Sequence, residues 1–238
     1  MIRYFLPAAF LLSGCVQKTE FDALEARVKT MEEKAAAAPS AKPGAPPSTP
    51  EDEAAKKLME EAQAAMAVDD YATAKAKLDE VVTKYGTSRM AAAAKKQLPE
   101  VSLIGAAAKP IEVEKWYQGK ATLNDSKATL LVFWETWCPH CKREMPKMPA
   151  LADKWKSKGM NVVALTKVTK SATDESVTTF LKENNINIPV AKEKDGSMSD
   201  AYAVTGIPAA AIVKDGKVVW RGHPARLTDA AIEKILAG

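Results

Sequence analysis

Residues 129–141 read TLLVFWETWCPHC, and this stretch decides the fold of the chain. The first six residues are apolar, β-branched or aromatic without interruption, which predicts a strand buried on both faces. After it, apolar residues at 4-3-4-3 spacing predict one face of a helix: Cys141, Met145, Met148, Ala152 and Trp155. Cys138 and Cys141 therefore lie at the junction between a central strand and the next helix.

Strand patterns alternate with helix patterns on both sides of this junction, over residues 101–238. Asp215-Gly216 between two apolar runs predicts a hairpin, and Thr228 is a suitable N-cap for a last helix. The remaining predicted elements are a leading hairpin (111–116 and 121–123), a central strand (161–167), a helix (176–184) and the hairpin strands (209–213 and 217–221). This order predicts an α/β domain with a mixed sheet flanked by helices.

The spacing of Cys138 and Cys141 has a chemical purpose. Two cysteines separated by two residues at a helix start can close a small disulfide ring, with Cys138 on the exposed first turn and Cys141 turned inward. Unpaired backbone N–H groups and a protonated His140 would both favour the thiolate of Cys138. A thiolate in this position can attack a disulfide, and the second thiol can then resolve the mixed disulfide.

Two motifs together carry a resemblance to a known family. Residues 133–146 (FWETWCPHCKREMP) and residues 201–208 (AYAVTGIP) resemble the thioredoxin superfamily, and within it the TlpA/ResA-like branch. The resemblance implies a thioredoxin-like fold and thiol:disulfide oxidoreductase activity over residues 101–238. It also implies that Pro208 is a cis-proline facing the disulfide and that the backbone of Ile207 pairs with an extended partner segment. We expect Trp134 and Trp137 to lie partly in the core and partly at the rim of the site, with Trp137 among the substrate-binding residues.

The chain departs from this family in two places. Pro139-His140 stands where reducing thioredoxins have Gly-Pro, and it matches the dipeptide of the oxidase DsbA, whereas the surrounding frame resembles reductases. The direction of electron flow is therefore open. Val132 occupies the position of the buried thioredoxin aspartate, and Glu135 is a nearby carboxylate whose orientation the sequence leaves open.

Other interpretations of the cysteine pair are a purely stabilising disulfide and a metal site formed by Cys138, His140, Cys141 and His223. The flanking motifs favour a redox-active Cys138–Cys141 disulfide instead, with no metal and no further cofactor. His223 follows a hairpin strand and is expected in a surface loop.

Residues 1–14 form the pattern of a secretory signal peptide, with Arg3 before a short apolar run. They end in Leu-Ser-Gly before Cys15, which resembles a bacterial lipobox. The resemblance implies lipidation of Cys15, attachment to the membrane through this lipid and a position facing the periplasm. Val16 is not the aspartate that signals inner-membrane retention, so the outer membrane is slightly favoured.

Between the lipobox and the catalytic domain the composition changes twice. Residues 15–34 have heptad spacing over fewer than three heptads, which predicts an amphipathic tether helix, with a short coiled coil as the alternative. Residues 35–50 are rich in alanine and proline and predict an extended linker.

Residues 51–98 return to a helical pattern, with Asp69-Asp70 between two helices, Gly86 at the end of the second and Ser88 as the cap of a third. The segment resembles one tetratricopeptide repeat, although the signature tryptophan is replaced by leucine. A binding module and a plain helical hairpin are both compatible with this pattern.

The chain of 238 residues has 34 basic and 30 acidic residues, a formal charge of +4, without a long basic block. This distribution does not indicate nucleic-acid binding. Two functions remain. The first is a lipid-anchored oxidoreductase that exchanges disulfides with envelope proteins, including a redox partner protein. The second is a scaffold lipoprotein that binds partners through residues 51–98 and has a redox-passive thioredoxin fold.

Overall fold

A computed structural model describes residues 48–238. The predicted signal peptide, Cys15, the tether helix and most of the linker lie outside the described residues. No helix among residues 48–238 combines the length and apolar character needed to cross a membrane.

Three helices begin the described part of the chain: α1 (Pro50–Ala67), α2 (Tyr71–Lys84) and α3 (Ala91–Ser102). Thr49 and Asp52 form a capping box at the start of α1, and Asp70 caps α2 through the N–H of Thr73. Small and branched residues at helical spacing make their shared core: Ala55, Met59, Ala62, Ala65, Ala74, Leu78, Val81, Ala94 and Val101. The predicted helical faces therefore meet each other, while the tetratricopeptide resemblance stays a prediction.

The third helix differs from its prediction at both ends. Ser88 does not cap it: the helix begins after Met90, and the Ser88 hydroxyl is buried without a partner among the described residues. The helix also continues through Pro99 to Ser102. Proline removes one backbone hydrogen bond from the helix, and we attribute the continuation to the burial of Val101 beyond it.

Six strands form one mixed sheet in the order β1-β4-β3-β2-β5-β6. The pairs β2–β3 and β3–β4 are parallel, and the other three pairs are antiparallel. The strands are β1 (Val113–Gln118), β2 (Ala128–Trp134), β3 (Met160–Thr166), β4 (Val190–Glu193), β5 (Ala209–Lys214) and β6 (Lys217–Gly222).

Strand β2 is central and every residue in it is buried, as its apolar run predicted. Leu130, Val132 and Trp134 face one core layer, and Leu131 and Phe133 face the other. Helices flank the sheet: α4 (Pro139–Glu144), α5 (Met148–Lys156), α6 (Asp174–Glu183), α7 (Ser197–Ala201) and α8 (Asp229–Ala237). The predicted mixed α/β fold is confirmed.

The predicted leading hairpin is wrong. Residues 121–123 form no strand, and β1 pairs with β4 instead. The reason is local, because the Asp125 carboxylate accepts hydrogen bonds from the Thr122 N–H and hydroxyl and closes a turn there. Strand β4 was not predicted, since Lys192 and Glu193 interrupt its short apolar pattern.

The three N-terminal helices are joined to the rest of the described chain by specific contacts. Glu100 on α3 pairs with Arg221 on β6 at 3.2 Å, and Asp69 pairs with Lys234 on α8 at 2.7 Å. The N–H of Gly105 donates to the carbonyl of Val218 at 2.8 Å. The helices therefore pack on the edge of the sheet where β6 lies.

Candidate active site

Strand β2 and helix α4 position the cysteine pair. Strand β2 ends at Trp134, a short turn follows, and Cys138 is the N-cap of α4 with Pro139 in the first helical position. Proline suits that position because its missing N–H has no partner in a helix. Pro139 and His140 are exposed, so the dipeptide between the cysteines faces solvent.

Cys138 lies against the loop that ends in Pro208. Its Sγ is 3.6 Å from the carbonyl oxygen of Ile207, and the Ile207–Pro208 peptide bond is cis. The structure thus brings together the two motifs that are far apart in the sequence. Cys138 is only 4% exposed, which differs from the exposed first turn expected, and the adjacent Ile207–Pro208 corner accounts for part of this cover.

Cys141 is fully buried on the inner side of α4, as its spacing predicted. Burial, with smaller contributions from the neighbouring Cys138 and the Glu135 carboxylate, raises the pKa of its thiol to about 12, while a backbone hydrogen bond at Glu135 opposes them. Both cysteines are free thiols in the structure. The Cys141 thiol is therefore protonated at neutral pH in this state.

The structure resolves the orientation of Glu135. Its side chain is buried with 4% exposure, and its carboxylate accepts hydrogen bonds from the N–H and the hydroxyl of Thr169 at 3.0 and 2.7 Å. Its negative charge is the smallest of the causes that raise the pKa of the Cys141 thiol, after burial and Cys138. Val132 is a buried apolar residue, so it supplies no carboxylate at the position of the thioredoxin aspartate.

His140 does not point its Nδ1 at the cysteines, because that atom lies 2.6 Å from the Arg143 guanidinium. Since arginine only donates, Nδ1 is an acceptor in this arrangement. Trp137 is half-buried at the rim, and the Lys170 ammonium lies 3.4 Å from its ring centroid. The tuning of Cys138 by His140 stays a prediction.

His223 is closer to the site than its sequence context indicated. It is half-buried, and its Nδ1 accepts a hydrogen bond from the Ala225 N–H. Burial lowers the pKa of its imidazole, whereas the negative charge of Glu144 acts in the opposite direction and raises it. Within residues 48–238, no three His, Cys, Asp or Glu residues come together as a set that could hold a metal ion.

Two cavities adjoin the loop before Pro208. One, of about 230 Å³, is lined by Trp137, Glu135 and Ile207. The other, of about 540 Å³, is lined by Pro208, His223 and residues of α1 and α3. Thr205 and Gly206 line both cavities, so this loop is the wall between them.

A central mixed sheet, a cysteine pair at the start of the helix after β2 and a cis-proline against the first sulfur define a thioredoxin-like domain. Residues 104–221 match the AhpC/TSA family. The predicted resemblance to the thioredoxin superfamily and its ResA-like branch is confirmed.

Curated relatives of this domain are thiol–disulfide oxidoreductases. The chain is 39% identical over 94 residues to the "Thiol-disulfide oxidoreductase ResA" of Bacillus thuringiensis. The aligned region covers 39% of this chain and 53% of the relative. The protein of the same name from Bacillus subtilis is 36% identical over 94 residues. This aligned region covers 39% of this chain and 51% of the relative. The chain thus spans about half the length of these relatives.

Among solved structures, a putative thiol:disulfide interchange protein DsbE from Chlorobium tepidum is 28% identical with a TM-score of 0.48. The alignment covers 56% of this chain and 96% of that protein. StoA from Bacillus subtilis is 22% identical with a TM-score of 0.46, over 55% of this chain and 98% of StoA.

Proposed function

We propose that this protein is a thiol–disulfide oxidoreductase that exchanges disulfides with protein partners through Cys138 and Cys141. The observation that carries the proposal is the position of the Cys138 sulfur, 3.6 Å from the Ile207 carbonyl beside the cis-proline, with Cys141 buried behind it. A purely stabilising disulfide would need neither the cis-proline corner nor a cavity on each side of it.

In the reducing direction, the Cys138 thiolate attacks one sulfur of a partner disulfide. The partner S–S bond breaks, a mixed disulfide with Cys138 forms, and the other partner sulfur leaves and takes up a proton. Cys141 then loses its proton and attacks the Cys138 sulfur, which releases the second partner thiol. Two electrons pass to the partner, and the chain is left with a Cys138–Cys141 disulfide. The oxidising direction is the reverse sequence.

The residues around the sulfurs have separate roles in this proposal. Glu135 is the proton acceptor for the Cys141 thiol, because its buried carboxylate already acts on the pKa of that thiol. His140 stabilises the reduced state of Cys138 and thereby makes the disulfide more oxidising. Ile207, Pro208 and Trp137 form the surface on which an extended partner segment lies.

The location of the protein is a proposal of the same kind. We propose lipidation of Cys15 and exposure of the catalytic domain to the periplasm, with the outer membrane favoured, where envelope proteins supply thiols and disulfides. Metabolic labelling with a fatty-acid analogue tests the anchor, since labelling is expected in the native chain and lost in Cys15→Ser. Labelling that persists in this variant would contradict the proposal.

The function itself is tested by trapping. In the full chain with Cys15→Ser, a Cys141→Ala variant is expected to accumulate disulfide-linked partners through Cys138, and these dissociate on addition of a thiol reductant. The matched control is Cys138→Ala with Cys141 intact, which is expected to trap nothing because Cys141 is fully buried.

A second assay separates this function from a redox-passive scaffold. The Cys15→Ser chain is expected to accelerate reduction of insulin disulfides by a small thiol, and Cys138→Ala is expected to abolish the acceleration. Equal rates in the two proteins, together with no trapped partner, would overturn the oxidoreductase proposal.

A further inference from the structure

The larger of the two cavities lies between the N-terminal helices and the thioredoxin-like domain. It has a volume of about 540 Å³ and opens beside Pro208. Helices α1 and α3 contribute Gln63, Met66, Lys96, Gln97 and Glu100 to its lining. These two helices therefore supply one wall of a space that continues from the cis-proline loop.

The charged side chains that line this cavity leave it with a net positive charge. Lys96 and Arg226 both line it, and neither side chain forms an ion pair with another of the residues 48–238. The acidic residue of the lining is Glu100, and it is already neutralised by Arg221 at 3.2 Å. The side chain of Arg221 is only 2% exposed, so this partner is held in place.

Lys96 lies directly beside the cis-proline loop. A methyl group built on Gly206 would lie 3.7 Å from the Lys96 ammonium nitrogen. Gly206 is next to Ile207, whose carbonyl oxygen is 3.6 Å from the Cys138 sulfur. One short loop therefore lies between the Cys138 sulfur and the Lys96 ammonium group of α3, which has no ion-pair partner among residues 48–238.

Gln97, one of the lining residues, has an unused hydrogen-bond acceptor. The side-chain carbonyl oxygen of Gln97 is buried and has no partner among the described residues. A buried acceptor without a donor costs free energy, and an N–H group of a bound chain would remove that cost. His223, in contrast, already uses its Nδ1 to accept from the Ala225 N–H.

We propose that this cavity binds an acidic side chain of the partner segment whose cysteine reacts with Cys138. The segment lies along the loop from Thr205 to Pro208, its carboxylate is placed between Lys96 and Arg226, and a main-chain or side-chain N–H reaches Gln97. This proposal rests on the proposed function and assigns it a substrate class. The N-terminal helices are then part of the substrate groove as well as a spacer.

The test uses two synthetic peptides that differ only near a single cysteine, where one has glutamates and the other has glutamines. Each cysteine is activated as a mixed disulfide with thionitrobenzoate. The full chain with Cys15→Ser and Cys141→Ala attacks the peptide sulfur through Cys138, and the coloured thionitrobenzoate anion leaves. The dependence of the rate on peptide concentration gives the apparent Kd and the maximal rate separately.

The acidic peptide is expected to have an apparent Kd about fivefold lower than the neutral peptide at low salt, since partly exposed charge pairs contribute about 1 kcal/mol at most. The preference is expected to shrink as salt screens the charges. Lys96→Glu and Arg226→Glu are each expected to abolish or reverse the preference.

Lys95→Glu is the matched control. Lys95 is exposed on the same helix and does not line the cavity, so this variant makes the same change in net charge. It is expected to keep the preference for the acidic peptide. Thermal melting of each variant checks that it is folded before its rates are compared.

The outcomes separate the two proposals. If neither peptide reacts with Cys138, the proposed function fails. If both peptides react with equal apparent Kd, or if Lys95→Glu changes the preference as much as Lys96→Glu does, the acidic-segment proposal is overturned while the oxidoreductase function stands. Acetate at millimolar concentration provides a further check. If it abolishes the preference for the acidic peptide, the cavity is a site for small anions, and the acidic-segment proposal is overturned.

Discussion

The buried carboxylate of Glu135 accepts hydrogen bonds from the backbone N–H and the hydroxyl of the exposed Thr169, with donor–acceptor distances of 3.0 and 2.7 Å. Thr169 follows β3 and Glu135 follows β2, and the two strands are parallel neighbours. Thr169 thus holds a negative charge beside the buried Cys141 thiol, and this arrangement can be tested directly.

Glu135→Gln is expected to lower the pKa of Cys141, because it removes a charge that raises that pKa while keeping an oxygen that accepts from Thr169. The expected decrease in the pKa of Cys141 is modest, because burial raises this pKa more than the Glu135 charge does. Ultraviolet titration of thiolate absorbance in the reduced protein measures it. Thr169→Val is the control, because it deletes one hydrogen bond and leaves the charge in place, and an unchanged or higher pKa in Glu135→Gln would contradict the assignment.

The reduced protein is expected to lose stability in alkali. The pKa of Cys141 is about 12 in the folded state, above the value of about 8.5 for a free thiol. A raised folded pKa contributes stability that is present below the free value and is lost as pH rises from there towards 12. The Tm of the reduced protein should therefore fall as the pH rises above about 8.5 towards 12.

The variant Cys141→Ala isolates this contribution from the titration of lysines and tyrosines. Its Tm is expected to fall less steeply over the same interval, because the variant has no buried thiol to ionise. Parallel Tm–pH curves for the two reduced proteins would show that Cys141 does not titrate as described.

Arg221 is expected to be essential for stability. Its guanidinium is buried and donates to the carbonyls of Tyr202 and Ala203 as well as to Glu100. Arg221→Met leaves these acceptors without a buried donor, and we expect a loss of about 3 kcal/mol or more in the free energy of unfolding. Urea denaturation measures it.

Two further variants locate the origin of that loss. Adding Glu100→Gln to Arg221→Met should recover part of the stability, because it removes the unpaired carboxylate. Lys217→Met, at an exposed position of the same strand, should change stability by less than about 0.5 kcal/mol. A double variant no more stable than Arg221→Met would assign the whole loss to the loop carbonyls.

His223 predicts a second pH dependence, on the acidic side. Burial lowers its pKa in the folded state, so it contributes stability that is present above about pH 6.5 and is lost as pH falls through the folded pKa. The Tm should decrease in this range. His223→Asn keeps an acceptor for the Ala225 N–H and does not titrate, and we expect a shallower decrease; an identical decrease would argue against this role.

Much of the domain was predictable because its signals are local. The apolar run of β2, the cysteine spacing, the Asp215-Gly216 turn and the Thr228 cap each depend on neighbouring residues, and the structure has each where the pattern indicated. The predicted helical face from Cys141 to Trp155 is divided in the structure, because Pro146 lies in a short 3₁₀ turn between α4 and α5. The pairing of β1 with β4 was missed, since its strands are separated by most of the domain.

The sequence by itself determined where the candidate site lies: a strand pattern, two cysteines at the start of a helix and an Ile-Pro pair in a recognisable motif. The tertiary structure alone decided what surrounds those atoms. The buried position of Glu135, the place of His223 and the cavity between α3 and the cis-proline loop depend on contacts such as Glu100–Arg221, which join residues 121 positions apart. Spacing along the chain encodes periodicity and caps, whereas such long-range contacts arise only when separate surfaces are buried together.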